Sequence, residues 1–232
     1  LFPYTTLFRS IDREQYAGML GGSLQPAGGI IPPAVQLLGR SYRELYADEP
    51  LSLPYTPEKS AALFAELLPE FSSNDINALK ILLPESFSDT EAVLSICQEW
   101  QNLSGHYIGI DRVSEREYRN RLASGDYSIA LYNLETPRNS CYASLQNFSE
   151  KAELFGLEKS SLTPVLETLS GEESLSEKVA LYGEAEKTFL DTLTFIPLFY
   201  QNFYLIYTSD NTDIFARPFS HSIDFRKAKH FA

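Results

Sequence analysis

Between Leu79 and Asn133 the apolar positions switch repeatedly between two periods, and the switching predicts strand, helix, strand, helix, strand. Leu79–Leu83 is a short apolar run closed by Pro84. From Ser88 to Leu103, Val93, Ile96, Cys97, Trp100 and Leu103 recur at helical spacing. Tyr107–Val113 reads as the second strand. Tyr118 and Leu122 share one face of the next helix, and Gly125-Asp126 turns the chain into Tyr127–Tyr132. Ser88 with Glu91, and Ser114 with Glu117, have the spacing of a capping box, in which hydroxyl and carboxylate each satisfy an orphan backbone N–H. Gly105 is placed to stop the first of these helices. Strands alternating with helices predict an α/β fold, mainly a parallel sheet with right-handed crossovers and flanking helices. Ligands of such sheets bind at the carboxyl ends of the strands, here Pro84–Phe87, Ser114 and Asn133–Cys141.

On either side the pattern is less regular. Ile11–Leu20 predicts a helix with acids in its first turn, ended by Gly21-Gly22. Gln25–Pro33 carries prolines and glycines that argue for loop and against helix or central strand. Thr56-Pro57-Glu58 opens another helix. After a loop over Leu134–Ser140, Cys141–Phe148 and Ser160–Leu169 read as short helices. Ser174 with Glu177 starts a long one, whose stripe is Leu175, Val179, Tyr182, Phe189 and Leu193. Ile196–Tyr200 and Phe203–Tyr207 read as two aromatic-rich strands.

Charge narrows the function. Of 232 residues, 19 are Lys or Arg and 31 are Asp or Glu, a net charge of -12. That balance argues against phosphate-backbone binding, which needs a basic surface. Arg112, Arg116, Arg119 and Arg121 cluster, but Glu115 and Glu117 interleave them, the pattern of a solvated mixed-charge face. His106, His221 and His230 have no partner at metal-ligand spacing. Cys97 reads either as a buried thiol or as half of a disulfide with Cys141. No nucleophile elbow, phosphate-binding glycine loop or zinc signature occurs, so neither a catalytic residue nor a metal or other cofactor is expected.

Leu1–Ser10, LFPYTTLFRS, matches residue for residue the translation of a widely used short-read sequencing adapter. It is set aside as a scar, with the expectation that the natural N-terminus and any signal peptide precede Ile11.

Several motifs, in order, resemble one family. They are Ile11-Asp12-Arg13-Glu14 with Gly21-Gly22, Pro26-Ala27 and Ile31-Pro32-Pro33; Tyr55–Ala61; Trp100 with Leu103 and Gly105; Tyr118, Leu122, Gly125-Asp126-Tyr127 and Ile129-Ala130; Leu181-Tyr182 with Ala185-Glu186; Ile196–Tyr200; and Ile223–Ala228. The chain resembles the oligopeptide-type (dipeptide, oligopeptide, nickel) solute-binding proteins of ABC importers. The resemblance implies the second of two α/β lobes that close on a peptide, without enzymatic activity. It further implies a monomeric, extracytoplasmic receptor, periplasmic or lipid-anchored, whose partners are a peptide ligand and a membrane permease, not nucleic acid.

Residues 11–200 would form the C-terminal ligand-binding lobe. Residues 201–232 would be crossover strands and a tail belonging to the first lobe, with Phe199–Tyr207 and Ile223–Phe225 lacking their partners. Many members fix the peptide amine with an aspartate in the loop after the strand matching Ile129–Tyr132. Here that position carries Pro137, which puts the device in doubt. Glu135 is the substitute candidate, equally readable as a solvated loop acid. Asn133 and Leu134 are expected to face the cleft. Tyr200 is expected to line it from the hinge side, with Gly28 and Gly29 permitting close backbone approach. The alternative function is the ligand-sensing module of a transcription regulator with the same binding fold.

Overall fold

The computed structural model describes residues 4–19, 24–46, 54–170, 174–201, 206, 208, 210–217, 219 and 222–230. Helices α1 (Tyr4–Arg9) and α2 (Arg13–Met19) lead into β1 (Leu24–Pro26). A small hairpin, β2 (Gln36–Leu37) and β3 (Arg40–Ser41), runs into α3 (Tyr42–Leu45). Helices α4 (Pro57–Leu67) and α5 (Ser73–Asn77) precede the central unit. That unit is β4 (Lys80–Pro84), α6 (Thr90–Ser104), β5 (Gly109–Val113), α7 (Glu115–Ser124) and β6 (Ile129–Ala130). Helices α8 (Cys141–Glu150), α9 (Lys159–Glu167) and α10 (Leu175–Leu190) follow. The chain continues through β7 (Phe199–Gln201), β8 (Asn211–Thr212), β9 (Phe215–Arg217), β10 (Ser222–Asp224) and β11 (Lys229–His230).

The central sheet is parallel, in the order β5–β4–β6. Successive residues of a strand point to opposite faces, and β4 uses both. Ile81 and Leu83 join Val93, Ile96, Cys97 and Trp100 of α6 in a first core. Leu82 turns to the other face, against Tyr118 and Leu122 of α7. A continuous apolar strand is what a sheet covered on both sides requires. A second core gathers Leu145 and Phe148 of α8, Leu162 of α9 and Val179 and Phe189 of α10 around Ile31, Val35 and Tyr42. Rings at Phe148, Phe155, Phe189 and Phe195 pack centroid to centroid at 5.0–5.3 Å.

Several sequence expectations need correction. Gln25–Pro33 is not wholly loop, since β1 pairs antiparallel with β7, Gln25 opposite Tyr200. Pro26 is tolerated because it ends a two-stranded ladder, where no further N–H is required. The same pairing gives Phe199–Gln201 a partner, and Ile223 pairs with Ala216. Of Phe203–Tyr207, only Ile206 lies within the described residues, exposed and outside any strand. Ser88 is not a cap. The chain is still turning at Pro84–Phe87, so α6 starts at Thr90, its N-cap is Asp89, and the Ser88 hydroxyl donates to the Asp89 carboxylate at 3.1 Å. Ser114 accepts the Glu117 N–H, and Ser174 with Glu177 forms the full reciprocal box. Cys97 and Cys141 are free buried thiols, one in each of the two main cores.

Residues Leu7 and Phe8, within the segment set aside on sequence grounds, pack into the first core. Leu7 is fully buried and its carbonyl accepts the Trp100 indole N–H at 2.9 Å. Phe8 meets the Trp100 ring edge-on at 5.7 Å.

Candidate functional site

The crossovers build the first part of the site. Helix α6 covers one face of the sheet and α7 the other, and the order β5–β4–β6 puts the switch in strand order between β4 and β6, the position at which such sheets take their ligands. On one side is the turn after Pro84. Arg112 on the neighbouring β5 donates to the Glu85 carbonyl at 2.6 Å, and the Ser86 hydroxyl bonds Glu115 at the start of α7. On the other side is the segment after β6. The Tyr118 hydroxyl donates to the Leu131 carbonyl at 2.5 Å and fixes where that segment departs. Farther along, Asn147 donates to the Glu135 carbonyl at 2.7 Å, and the Asn139 side-chain oxygen accepts the Gln36 N–H at 2.6 Å.

The bonds to Glu85, Leu131 and Glu135 use main-chain carbonyls and leave those three side chains out of the hydrogen bonding. Asn133 and Glu135 are exposed in the segment after β6, while Leu134 is half-buried against the second core. The segment can therefore offer amide and carboxylate groups to a ligand from a pinned backbone.

Gly28, Gly29 and Tyr200 lie elsewhere, where β1 and β7 run side by side. The Gly29 N–H donates to the Tyr200 hydroxyl at 3.0 Å. A Cβ on Gly29 would collide with the Glu186 carboxylate and the Arg43 guanidinium, so any other residue there must push the ends of that ion pair aside; Gly28 has open space. Glu186 on α10 is fully buried. One carboxylate oxygen accepts the N–H groups of Ile30 and Ile31, the latter at 2.8 Å, together with the Arg43 guanidinium. Arg43 also donates through Nε to the Ile31 carbonyl at 2.7 Å and lies over the rings of Tyr42 and Tyr200, 5.2 and 5.9 Å from their centroids.

Burial pushes the Glu186 carboxyl above the ordinary carboxylate value, against the pull of Arg43 and the two backbone donors. For Arg43 burial acts downward, and Glu186 outweighs it, so the guanidinium is held more firmly protonated. Burial moves the Tyr200 hydroxyl up to about 12.

Thus the six sequence-derived residues divide into two places. Asn133, Leu134 and Glu135 follow the carboxyl end of β6, and Gly28, Gly29 and Tyr200 lie where β1 meets β7. Sequence reasoning missed Arg43 and the role of Glu186. The signal for Glu186 was present: an acid one turn from Tyr182 and just before Phe189, interrupting an apolar stripe. Arg43 had no comparable mark. Among the described residues no group of His, Cys, Asp and Glu is arranged to hold a metal ion, and no helix is long and apolar enough to cross a membrane.

No family model matches the sequence, and no curated protein matches it. Solved structures do match. The pheromone receptor PrgZ, described with its mode of peptide binding, superposes with a TM-score of 0.72 at 15% identity, over 98% of this chain and 44% of that one. The substrate-binding domain of an oligopeptide ABC transporter from Bacillus anthracis gives 0.73 at 14% identity, over 98% and 45%. OppA of Listeria monocytogenes, bound to peptide, gives 0.72 at 14% identity, over 98% and 44%. These neighbours are binding proteins rather than enzymes. The chain spans less than half of their length, and over almost all of its own length it has the α/β fold of oligopeptide-type substrate-binding proteins.

Proposed function

We propose that the chain contributes the second lobe of an extracytoplasmic substrate-binding component of an ABC importer, and that its ligand is an oligopeptide. The observation that carries this reading is the superposition of 98% of the chain on peptide-binding receptors, with the switch in strand order at the carboxyl ends of β4 and β6 beside it. Residues 11–200 form the lobe, and residues 201–232 belong with a first lobe that supplies the other wall. The peptide lies as an added strand, held by its backbone, with side chains in roomy pockets. Asn133 and Glu135 contact it from the segment after β6, Glu135 facing its free amine, and Leu134 shapes the floor. Gly28, Gly29 and Tyr200 stand at the hinge. Closure of the two lobes supplies the affinity, and the closed form docks on a membrane permease. The ligand-sensing module of a transcription regulator gains no support from these neighbours.

The test is to recover the upstream reading frame, express the extended protein and titrate it with a mixed peptide library by calorimetry. Saturable binding that weakens at least tenfold in Glu135→Gln, and weakens equally when the peptides are N-acetylated, supports the assignment. Absence of peptide binding by the two-lobed protein would overturn it.

A further inference from the structure

The chain passes between the two main cores at several places, among them Leu131–Tyr132, and two of these passages meet at one point. Leu198 and Phe199 pack on the first core, while Phe195, a few residues earlier, packs on the second. In the other direction β1 lies against β7, and Ile30 and Ile31, just beyond it, are buried in the second core. The two crossings run side by side, tied by the short β1–β7 ladder and by the Ala27 N–H donating to the Leu198 carbonyl at 3.0 Å. Between them sits the charged knot. Glu186 of α10 holds Ile30 and Ile31, Arg43 of α3 holds Glu186 and the Ile31 carbonyl, and Tyr200 of β7 holds Gly29.

Such a buried ion pair adds little net stability compared with apolar packing, yet it is costly to break from one side. Its contacts are directional, so it fixes position more than it glues. The other Glu186 oxygen and the Tyr42 hydroxyl are buried without a hydrogen-bond partner among the described residues. Buried polar atoms without a partner are a place where strain is stored, and a change of packing that gave them one would release it.

We propose that Arg43, Glu186, Gly29 and Tyr200 form a pivot between the two cores. The knot pins both crossings to α10, and movement of one core against the other requires the ion pair to let go. The pivot is a property of this chain alone and does not depend on which ligand the protein takes.

Hydrogen exchange of the full chain, read by mass spectrometry, tests it. In Glu186→Gln the Arg43 pairing loses its charge while an oxygen remains for the backbone donors. In Tyr200→Phe the Gly29 acceptor is lost together with the hydroxyl's interaction with Arg43, while the Arg43–Glu186 pair itself remains, a change mild enough to keep the fold. The expected result is at least tenfold faster exchange over residues 24–31 and 199–201 in Glu186→Gln. A smaller acceleration confined to residues 27–31 is expected in Tyr200→Phe. In both variants residues 80–84 and 109–113 should exchange at the wild-type rate. Unchanged exchange over residues 24–31 in Tyr200→Phe overturns the pivot. So does acceleration in that variant that is as large over residues 80–84 as at the crossing.

Discussion

Gly28 and Gly29 are adjacent in sequence and opposite in tolerance. A methyl group at Gly28 meets nothing within 4 Å, whereas at Gly29 it would strike both charged partners of the Arg43–Glu186 pair. Gly29→Ala should therefore cost about 3 kcal/mol, the scale of breaking a buried ion pair, and Gly28→Ala should stay within about 0.5 kcal/mol of wild type. Urea unfolding of the two variants checks this, and equal midpoints would show that the knot yields freely. The thiols supply a pH test. Burial raises Cys97 to about 11 and Cys141 to about 12. Both stay protonated at pH 8, so a disulfide reagent should label neither in the folded protein and both in denaturant. The sign for stability follows from the native state binding the extra protons. Stability is fully present below the ordinary thiol value and falls as pH rises through it toward the raised values. A Cys97→Ala, Cys141→Ala variant should lose less stability than wild type between pH 8 and pH 10.

Helix ends separate what a sequence shows from what it hides. Ser174→Ala should cost about 1 kcal/mol, since it removes a complete capping box. Ser88→Ala should be close to neutral, because the Ser88 hydroxyl bonds its neighbour's carboxylate and no helical N–H. The two sites have the same spacing of serine and glutamate; only the turn at Pro84–Phe87 tells them apart, and that turn is a property of the sheet's end. Periodicity located α4, α6, α7, α8, α9 and α10 because each buries one face. It located β4 because a strand covered on both sides is apolar throughout. It overlooked β1, a strand made by its pairing with the far-distant β7, Gln25 opposite Tyr200, where prolines and glycines argue the other way. The switch in strand order was legible because topology alone places it, whereas the Arg43–Glu186 knot depends on side chains from distant elements. Helix α1 is a different case. Its string matches a translated sequencing adapter, yet Leu7 and Phe8 are apolar and pack on Trp100. Trp100 is the sole tryptophan, so its fluorescence reports on that contact. Deleting residues 1–10 should shift its emission to the red and lower the thermal midpoint; an unchanged spectrum would mean that α1 does not pack there.

At the scale of the whole molecule, the balance of area and order sets what this chain can bind. In the proposed two-lobed receptor, affinity comes from burying the ligand between the lobes, and residues 11–232 offer one side of that cleft, from the Glu85–Ser88 turn and the Asn133–Asn139 segment. A peptide laid on that side keeps much of its surface in water and still loses its conformational freedom, a cost that a one-sided contact does not recover. Exposed apolar side chains at Ile206, Phe215 and Phe225, outside that turn and segment, are the surface on which the proposed first lobe would rest. Residues 11–232 alone should therefore bind peptides more weakly than about 1 mM, equivalent to roughly 4 kcal/mol. The two-lobed protein should bind them at micromolar concentrations or below. Calorimetry on both forms with one peptide library measures the difference. Micromolar binding by residues 11–232 would show that the site at the ends of β4 and β6 is complete by itself and that closure is not the source of affinity.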